Sequence, residues 1–404
     1  MEKVYEDQLV DLVFTMKWKS RFVTHAEWYM ASRVNMWRDI LPPALSADLA
    51  GKQTGDRLEA VLPSGDLPWP KDPKKIFQIG KEQFARSADS MMDTEPRPGR
   101  FYPKGLLKDI PGVFKANITP FRCVGVDNGH MDVDFNHPLA GKELMVSAVV
   151  GRVESKKDER GGASVDWLET LADGPGMQAR WEGMATDYFF GRPFAREDET
   201  DDALFYTTPR LVQHLDDAAI DMVKSTYGRF LKHDMAVLDL MSSWQSHIPE
   251  VRLKRLSGLG LNELELHQNP LLTDITVHNL NQSPRLPYAD ESFDAVINTV
   301  SVEYLIDPIT VFQEVGRVLK PNGKFIVTFS NRWFPPKAIR IWSMLHEFER
   351  MGLVSEYFLR SGVFHDIQTF SARGLPRPRH DKYFPKIWFA DPVYAVWGEK
   401  GATT

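Results

Sequence analysis

Apolar and polar residues nearly alternate over residues 4–16, the period of a strand with one buried face. The same alternation returns at 56–62, after the Gly-Lys-Gln-Thr-Gly turn at 51–55. It appears again at 121–126 and 131–135, on either side of Asp127-Asn128-Gly129. Asn-Gly supplies the positive backbone angles a tight turn needs, so these last two runs predict a hairpin. A strand over 144–153 closes this half, and residues 26–49 are expected to contribute some helix. The first 155 residues therefore read as α+β, mainly antiparallel sheet.

From residue 204 onward the period changes. Val212, Leu215, Ala219, Met222 and Val223 fall on one face of a helix predicted over 212–230, and 237–240 is a short buried strand. Helices and strands then alternate as far as 325–329, which implies an α/β unit with a parallel sheet. Between the halves the composition shifts. The run at 154–162 is charged and punctuated by glycine, and 196–202 is strongly acidic; both are hard to bury. The expected organisation is a domain over 1–155, a connecting segment over 156–203 and a domain over 204–404. Trp167, Trp181, Tyr188, Phe189 and Phe190 inside that segment imply that parts of it pack against a neighbouring domain.

A length of 404 residues accommodates two domains, each with its own core. The net charge of −6 is mild and the basic residues are scattered, so no nucleic-acid partner is expected. The single cysteine, Cys123, excludes an intramolecular disulfide and a cysteine-rich metal cluster, and fits a reducing compartment. The start shows no secretory pattern, and no apolar run approaches the roughly 20 residues of a membrane span. A soluble, cytoplasmic protein with no membrane partner is the expectation. The histidines at 130 and 137, and at 214, 233 and 247, follow no ligand spacing, so no metal is expected.

Residues 235–332 carry several separated motifs in one order: AVLDL at 236–240, LPYADESFDAV at 286–296, a helix around 311–319 and the turn Lys320-Pro321-Asn322-Gly323. This order resembles a Rossmann-like class I methyltransferase dependent on S-adenosylmethionine (SAM), of the type 11 kind. The run AVLDLMSSWQSHIP at 236–249 is similar to a group marked by VLDLMSSW-x-SH-x-P, which 205–210 and His214-x-Asp216 also fit. The resemblance implies a SAM site across the carboxyl ends of parallel strands. It places Asp239, Met241, Ser242, Ser243, Gly260, Asn262, Asn279, Leu280, Thr299, Val300 and Ser301 around the cofactor.

Two departures from the common pattern stand out. The turn after the first strand, residues 241–247, has no glycine, although glycine usually allows backbone to approach a ligand there. The acid that commonly holds the ribose is also missing: Gly260 stands in its place, with Asn262 or Glu263 as substitutes. Asn279 stands where an Asp commonly meets the adenine amine, and its amide supplies an acceptor. Asp239 is read either as the organiser of the cofactor loop or as a purely structural carboxylate, and Asp294 as a strand-positioning one. His247, His214 (on the preceding helix) and Tyr206 are candidate general bases, with structural or substrate-positioning roles as the alternative. Arg210 and Arg332 either receive an anionic group or pair at the surface.

A second resemblance lies in the first half. The run Asn136-His137-Pro138-Leu139-Ala140-Gly141, its flanking strands and residues 45–62 look like a SlyD-like FKBP prolyl isomerase domain with an inserted flap over about 69–135. Phe14 falls where such domains often place a tyrosine, and residues 37–43 replace the usual glycine-rich approach to the proline basin. The fold expected is thus an α+β FKBP-like domain followed by an α/β methyltransferase domain. The expected function is SAM-dependent methylation of a small-molecule acceptor, with a small thiol or sulfide attractive because a thiolate needs little acid-base help. The FKBP-like part is expected to brace or to make a homodimer. The alternatives are a prolyl isomerase or chaperone with a vestigial SAM domain, and an inert scaffold.

Overall fold

The structure is a computed structural model and describes residues 3–85, 95–155 and 162–401. It divides into two compact units. The first comprises Met1–Glu27, Ala31–Pro193 and Met344–Leu353; the second comprises Trp28–Met30, Phe194–Ser343 and Val354–Thr404.

The first unit is built from β1 (Gln8–Lys19), β2 (Thr24–Asn35), α1 (Pro43–Leu49), β3 (Arg57–Leu62), β4 (Ile76–Gly80), β5 (Phe101–Pro103), β6 (Pro120–Val126), β7 (His130–Asp134), β8 (Leu144–Ser155) and α2 (Trp167–Ala172). Four strands run in the order β2-β1-β8-β3, and β8 pairs antiparallel with both β1 and β3. A separate antiparallel sheet has the order β4-β7-β6-β5 and its own core of Ile79, Phe84, Leu107, Phe121, Cys123, Met131 and Val133. The hairpin expected around Asn128-Gly129 is β6 and β7.

The helix expected within 26–49 is α1, which Pro43 opens at its first turn, whereas residues 26–35 of that stretch are strand β2. Residues 164–193, read as a connection, belong to the first compact unit, where Trp167, Leu168 and Leu171 of α2 are buried. Of the charged run at 154–162, residues 156–161 lie outside the described residues, as does part of the expected flap, 86–94.

The second unit contains α3 (Asp202–Phe205), α4 (Asp217–Gly228), β9 (Ala236–Leu240), β10 (Arg255–Gly260), α5 (Glu263–Gln268), β11 (Asp274–Val277), β12 (Phe293–Thr299), α6 (Pro308–Val318), β13 (Leu319–Phe329), β14 (Phe364–Arg373) and β15 (Val393–Lys400). Their order is β11-β10-β9-β12-β13-β15-β14. The first five are mutually parallel, whereas β15 pairs antiparallel with both β13 and β14. The sheet is therefore mixed, because two closing strands return without the expected alternation. β9 is wholly buried, and the strand order reverses at it, with β10 on one side and β12 on the other. Such a reversal opens a crevice at the carboxyl ends of the strands.

The acidic run at 196–202, expected to resist burial, is anchored inside this unit. Lys337, with no exposed surface, lies 3.3 Å from Asp198 and 3.4 Å from Asp202, and Arg196 meets Asp202 at 2.6 Å. Pairing offsets the cost of taking these charges out of water. This cluster seats α3 and, directly after it, Tyr206.

Candidate active site

A cleft in the second unit opens at the ends of β9, β10 and β12. Tyr206, Arg210, His214, Asp239, Met241, Ser242, Ser243, His247, Gly260, Asn262, Asn279, Leu280, Thr299, Val300 and Ser301 all line it. Arg332 does not; it lines an adjoining cavity of roughly 510 Å³ that shares His214, Val300, Tyr304 and Phe334 with the cleft.

The glycine-free turn is held by side chains. Asp239, at the end of β9, accepts hydrogen bonds from the hydroxyls of Ser242 (2.7 Å) and Ser246. Glu265 of α5 accepts from Ser243 Oγ at 2.6 Å, and Asn269 Nδ2 donates to Ser243 O and Ser246 Oγ. Met241 takes φ of +60° to start the turn. Burial pushes the Asp239 carboxyl up to about 6, against the lowering effect of the two serine hydroxyls. Asp239 thus has the loop-organising contacts. Asp294 instead accepts from the Ala236 amide and pairs with Lys320 at 2.6 Å, away from the cleft.

Gly260 serves the turn by lacking a side chain. A Cβ there would run into the Ser242 carbonyl oxygen, so the turn and the end of β10 approach as closely as they do only with glycine. Asn262 caps α5 through Oδ1 and donates from Nδ2 to the carbonyls of Tyr206 and Thr207. Glu263 is exposed, and the carboxylate that reaches the cleft is Glu265, which also accepts from the Arg210 amide at 2.7 Å. Sequence reasoning missed Glu265 and Asn269. Asn262-x-x-Glu265 has the helix-start spacing that would have flagged Glu265.

The opposite wall comes from β12. Tyr227 of α4 hydrogen-bonds Thr299 Oγ1 at 2.7 Å and Thr328 Oγ1 at 2.8 Å, and Asn298 Nδ2 donates to Leu240 O and Ser301 Oγ. Val300 is held at φ of +41°, a region a β-branched residue rarely occupies. Asn279 Oδ1 accepts from the Asn281 amide, and its Nδ2 lies 3.4 Å from Asp201.

The candidate bases differ in character. His247 is largely buried, and its Nδ1 has no partner among the described residues. Burial, with Lys224 and His214 adding to it, pushes its pKa down to about 4, so the ring is neutral near pH 7. His214 precedes α4, not within a helix as expected, because the helix starts only after Asp216 caps it. Its ring sits edge-on to Phe334 at 5.1 Å, and burial lowers its pKa. Burial and Asp202 raise the Tyr206 pKa, so its hydroxyl is protonated near pH 7. Arg210 lies over the rings of Phe205 (4.2 Å) and Phe334 (4.8 Å), and its Nη1 has no partner among the described residues. The Arg332 charge is taken by Asp391 at 3.0 Å.

Residues 260–327 match the methyltransferase domain family. Over this stretch the chain is similar to methyltransferase domains, a likeness that supports S-adenosylmethionine as the cofactor. Malonyl-[acyl-carrier protein] O-methyltransferase of Marinomonas sp. (strain MWYL1) is 23% identical over 129 residues, 31% of this chain and 46% of that protein. Demethylmenaquinone methyltransferase of Mycobacterium sp. (strain KMS) is 41% identical over 54 residues, 12% of this chain and 24% of the relative. The chain thus spans less than half the length of these curated relatives. The solved S-adenosylmethionine dependent methyltransferase from Mesorhizobium loti is 15% identical, covering 46% of this chain and 99% of its own, with a TM-score of 0.30. Among the described residues no group of His, Cys, Asp and Glu is arranged to hold a metal, and no helix is long and apolar enough to cross a membrane.

Proposed function

We propose that the protein transfers a methyl group from SAM to a small-molecule acceptor that gives up a proton, with a small thiol the simplest case. The observation carrying this reading is the cleft at the strand-order reversal, where Gly260 leaves room for the Ser242 carbonyl and the methyltransferase motif continues through β12 and β13. The residues present suit the cofactor. Arg210 Nη1, Gln245 Oε1 and His247 Nδ1 are buried polar atoms without partners among the described residues, all from residues on the cleft wall.

When bound, SAM supplies a methyl group already activated by a sulfonium. The chain's part is to hold, orient and keep water out. Asp239, Ser242 and Ser243 would fix the turn beside the methionine end; Asn279, Leu280 and Glu265 would receive the adenosine. His247, neutral and unpartnered, is the base we assign to the acceptor proton, and a thiol needs least of it. A sulfide needs no base at all, so replacing His247 should slow methylation of a thiol but not of a sulfide. The adjoining cavity, walled by Tyr304 and Phe334, suits an acceptor with an apolar body.

For the first unit we propose an FKBP-like fold in a bracing or dimerising role. Phe14 has no exposed surface and stacks on Trp167 at a centroid distance of 6.2 Å, which speaks against a prolyl substrate at that position. Turnover of an Xaa-Pro peptide that falls on replacing Phe14 or Trp37 would favour the isomerase reading instead. The first test is calorimetric titration with SAM and S-adenosylhomocysteine: one micromolar site is expected, and no detectable binding would remove the methyl-transfer reading.

A further inference from the structure

We propose that the first unit carries an oxyanion-binding site over the turn Asn136-His137-Pro138-Leu139-Ala140-Gly141, one that takes the phosphate or carboxylate group of a small molecule. The cavity there has a volume of about 80 Å³, room for several waters or one such group. Its wall holds four cations, Lys71, Arg122, Lys142 and Arg180, against two carboxylates, Asp134 and Glu182.

Arg122 is the centre of the argument. It is only 7% exposed, and its guanidinium lies 4.1 Å from the Phe101 ring centroid. Nη2 donates to the carbonyls of Gly176 (3.2 Å) and Ala179 (3.0 Å), which fixes the side chain, but Nε has no partner among the described residues. Asp134 is already committed: Oδ1 accepts from the Asn136 amide and side chain, and Oδ2 from Trp181 Nε1. A buried guanidinium without a carboxylate in ion-pair contact is costly unless something else neutralises it. Burial depresses its pKa to about 10.

The surroundings add charge and donors. Lys71 is matched by Glu182 at 2.9 Å. Lys142 makes no such ion pair among the described residues, and burial together with Arg122 and Lys71 lowers its pKa against the attraction of Glu182. His137 Nδ1 accepts from the Leu139 amide at 3.1 Å, so the neutral ring carries its proton on Nε2 as a further donor. Its ring is stacked on Trp69 at 4.2 Å. The carbonyls that hold Arg122 are themselves pinned: Gly176 has φ of +99°, and a Cβ there would lie 2.6 Å from the Pro138 backbone. Cations, donor and turn are thus held before any ligand arrives.

The test uses the full-length protein, titrated calorimetrically with inorganic phosphate, with malonate and with sodium chloride at matched ionic strength. Saturable heat and a raised thermal midpoint are expected with phosphate, malonate or both, and not with chloride. Lys142→Gln, at a half-buried position that tolerates the change, should keep the ligand-free thermal midpoint and bind about tenfold more weakly, the loss of one charge-assisted hydrogen bond. A response to phosphate alone assigns a phosphate ligand, and to malonate alone a carboxylate. Equal responses to all three salts, or wild-type binding by Lys142→Gln, would overturn the proposal.

Discussion

Asp239 fixes, through its side chain, a glycine-free turn at the proposed cofactor site. Its carboxylate holds two serine hydroxyls of the turn at once, so Asp239→Ala leaves both buried oxygens without their acceptor, at a cost of about 1–3 kcal/mol each. We expect SAM affinity to fall at least tenfold by calorimetry, with Asp239→Asn falling less because its carbonyl oxygen still accepts. Unchanged affinity in the alanine variant would show that the turn does not need this anchor. His247 makes a sharper case for chemistry. Its Nδ1 is unpartnered in a cleft and its ring is neutral, so His247→Asn should lower methyl transfer to a thiol by roughly 10²–10⁴-fold while leaving SAM affinity within a few fold. Equal losses in both would reduce it to a loop residue. Both residues were legible in the motif AVLDLMSSWQSHIP. Glu265 was legible only as the third residue of a helix start, and Asn269 not at all, because nothing in the local sequence says that α5 and its C-cap face Ser243 and Ser246.

At the scale of elements, strands signalled by period and turn chemistry came through, and those overridden by tertiary pairing did not. The Asn128-Gly129 hairpin and β9 were legible because local angles and burial agree with the fold. No strand was expected over 24–35, because THAEWYMASRVN mixes helix-favouring residues with aromatics, and strand pairing decided the outcome. The expected helix over 212–230 shrank to α4 because Asp216 caps it late, which leaves His214 free of the helix and on the cleft wall. The ends of β10 and β12 carry the strain of the site. Gly260→Ala places a methyl group against the Ser242 carbonyl, and we expect a stability loss of about 1–3 kcal/mol in urea unfolding, together with weaker SAM binding. Retention of both would mean that the turn can retreat from β10 without cost. Val300→Gly tests the opposite end: it relieves a positive φ, so stability should hold despite the added chain entropy, while the side chain lost from the cleft wall weakens binding.

Across the whole molecule, the histidines point to one pH dependence. Burial lowers His25 to about 3 and His137 and His247 to about 4, and it also lowers His214. Each binds a proton near pH 6.5 in the unfolded chain but resists it when folded. Between pH 6.5 and about 4 the unfolded state therefore holds more protons, and stability falls as pH falls. Asp239 works the other way: raised to about 6, it gives the folded state an extra proton between pH 3.8 and 6, and Asp216 is raised as well. From pH 7.5 down to 6 the lowered imidazoles act without opposition from these two carboxyls. Below it, four lowered imidazoles face two raised carboxyls, and the imidazoles prevail. The first unit holds His25 and His137, and the second holds His214 and His247, so both should soften in the same window. Urea midpoints followed by tryptophan fluorescence should be lower at pH 5 than at pH 7.5, with His137→Gln and His247→Gln each flattening the difference. A midpoint that rises on acidification would mean that the raised carboxyls outweigh the buried imidazoles.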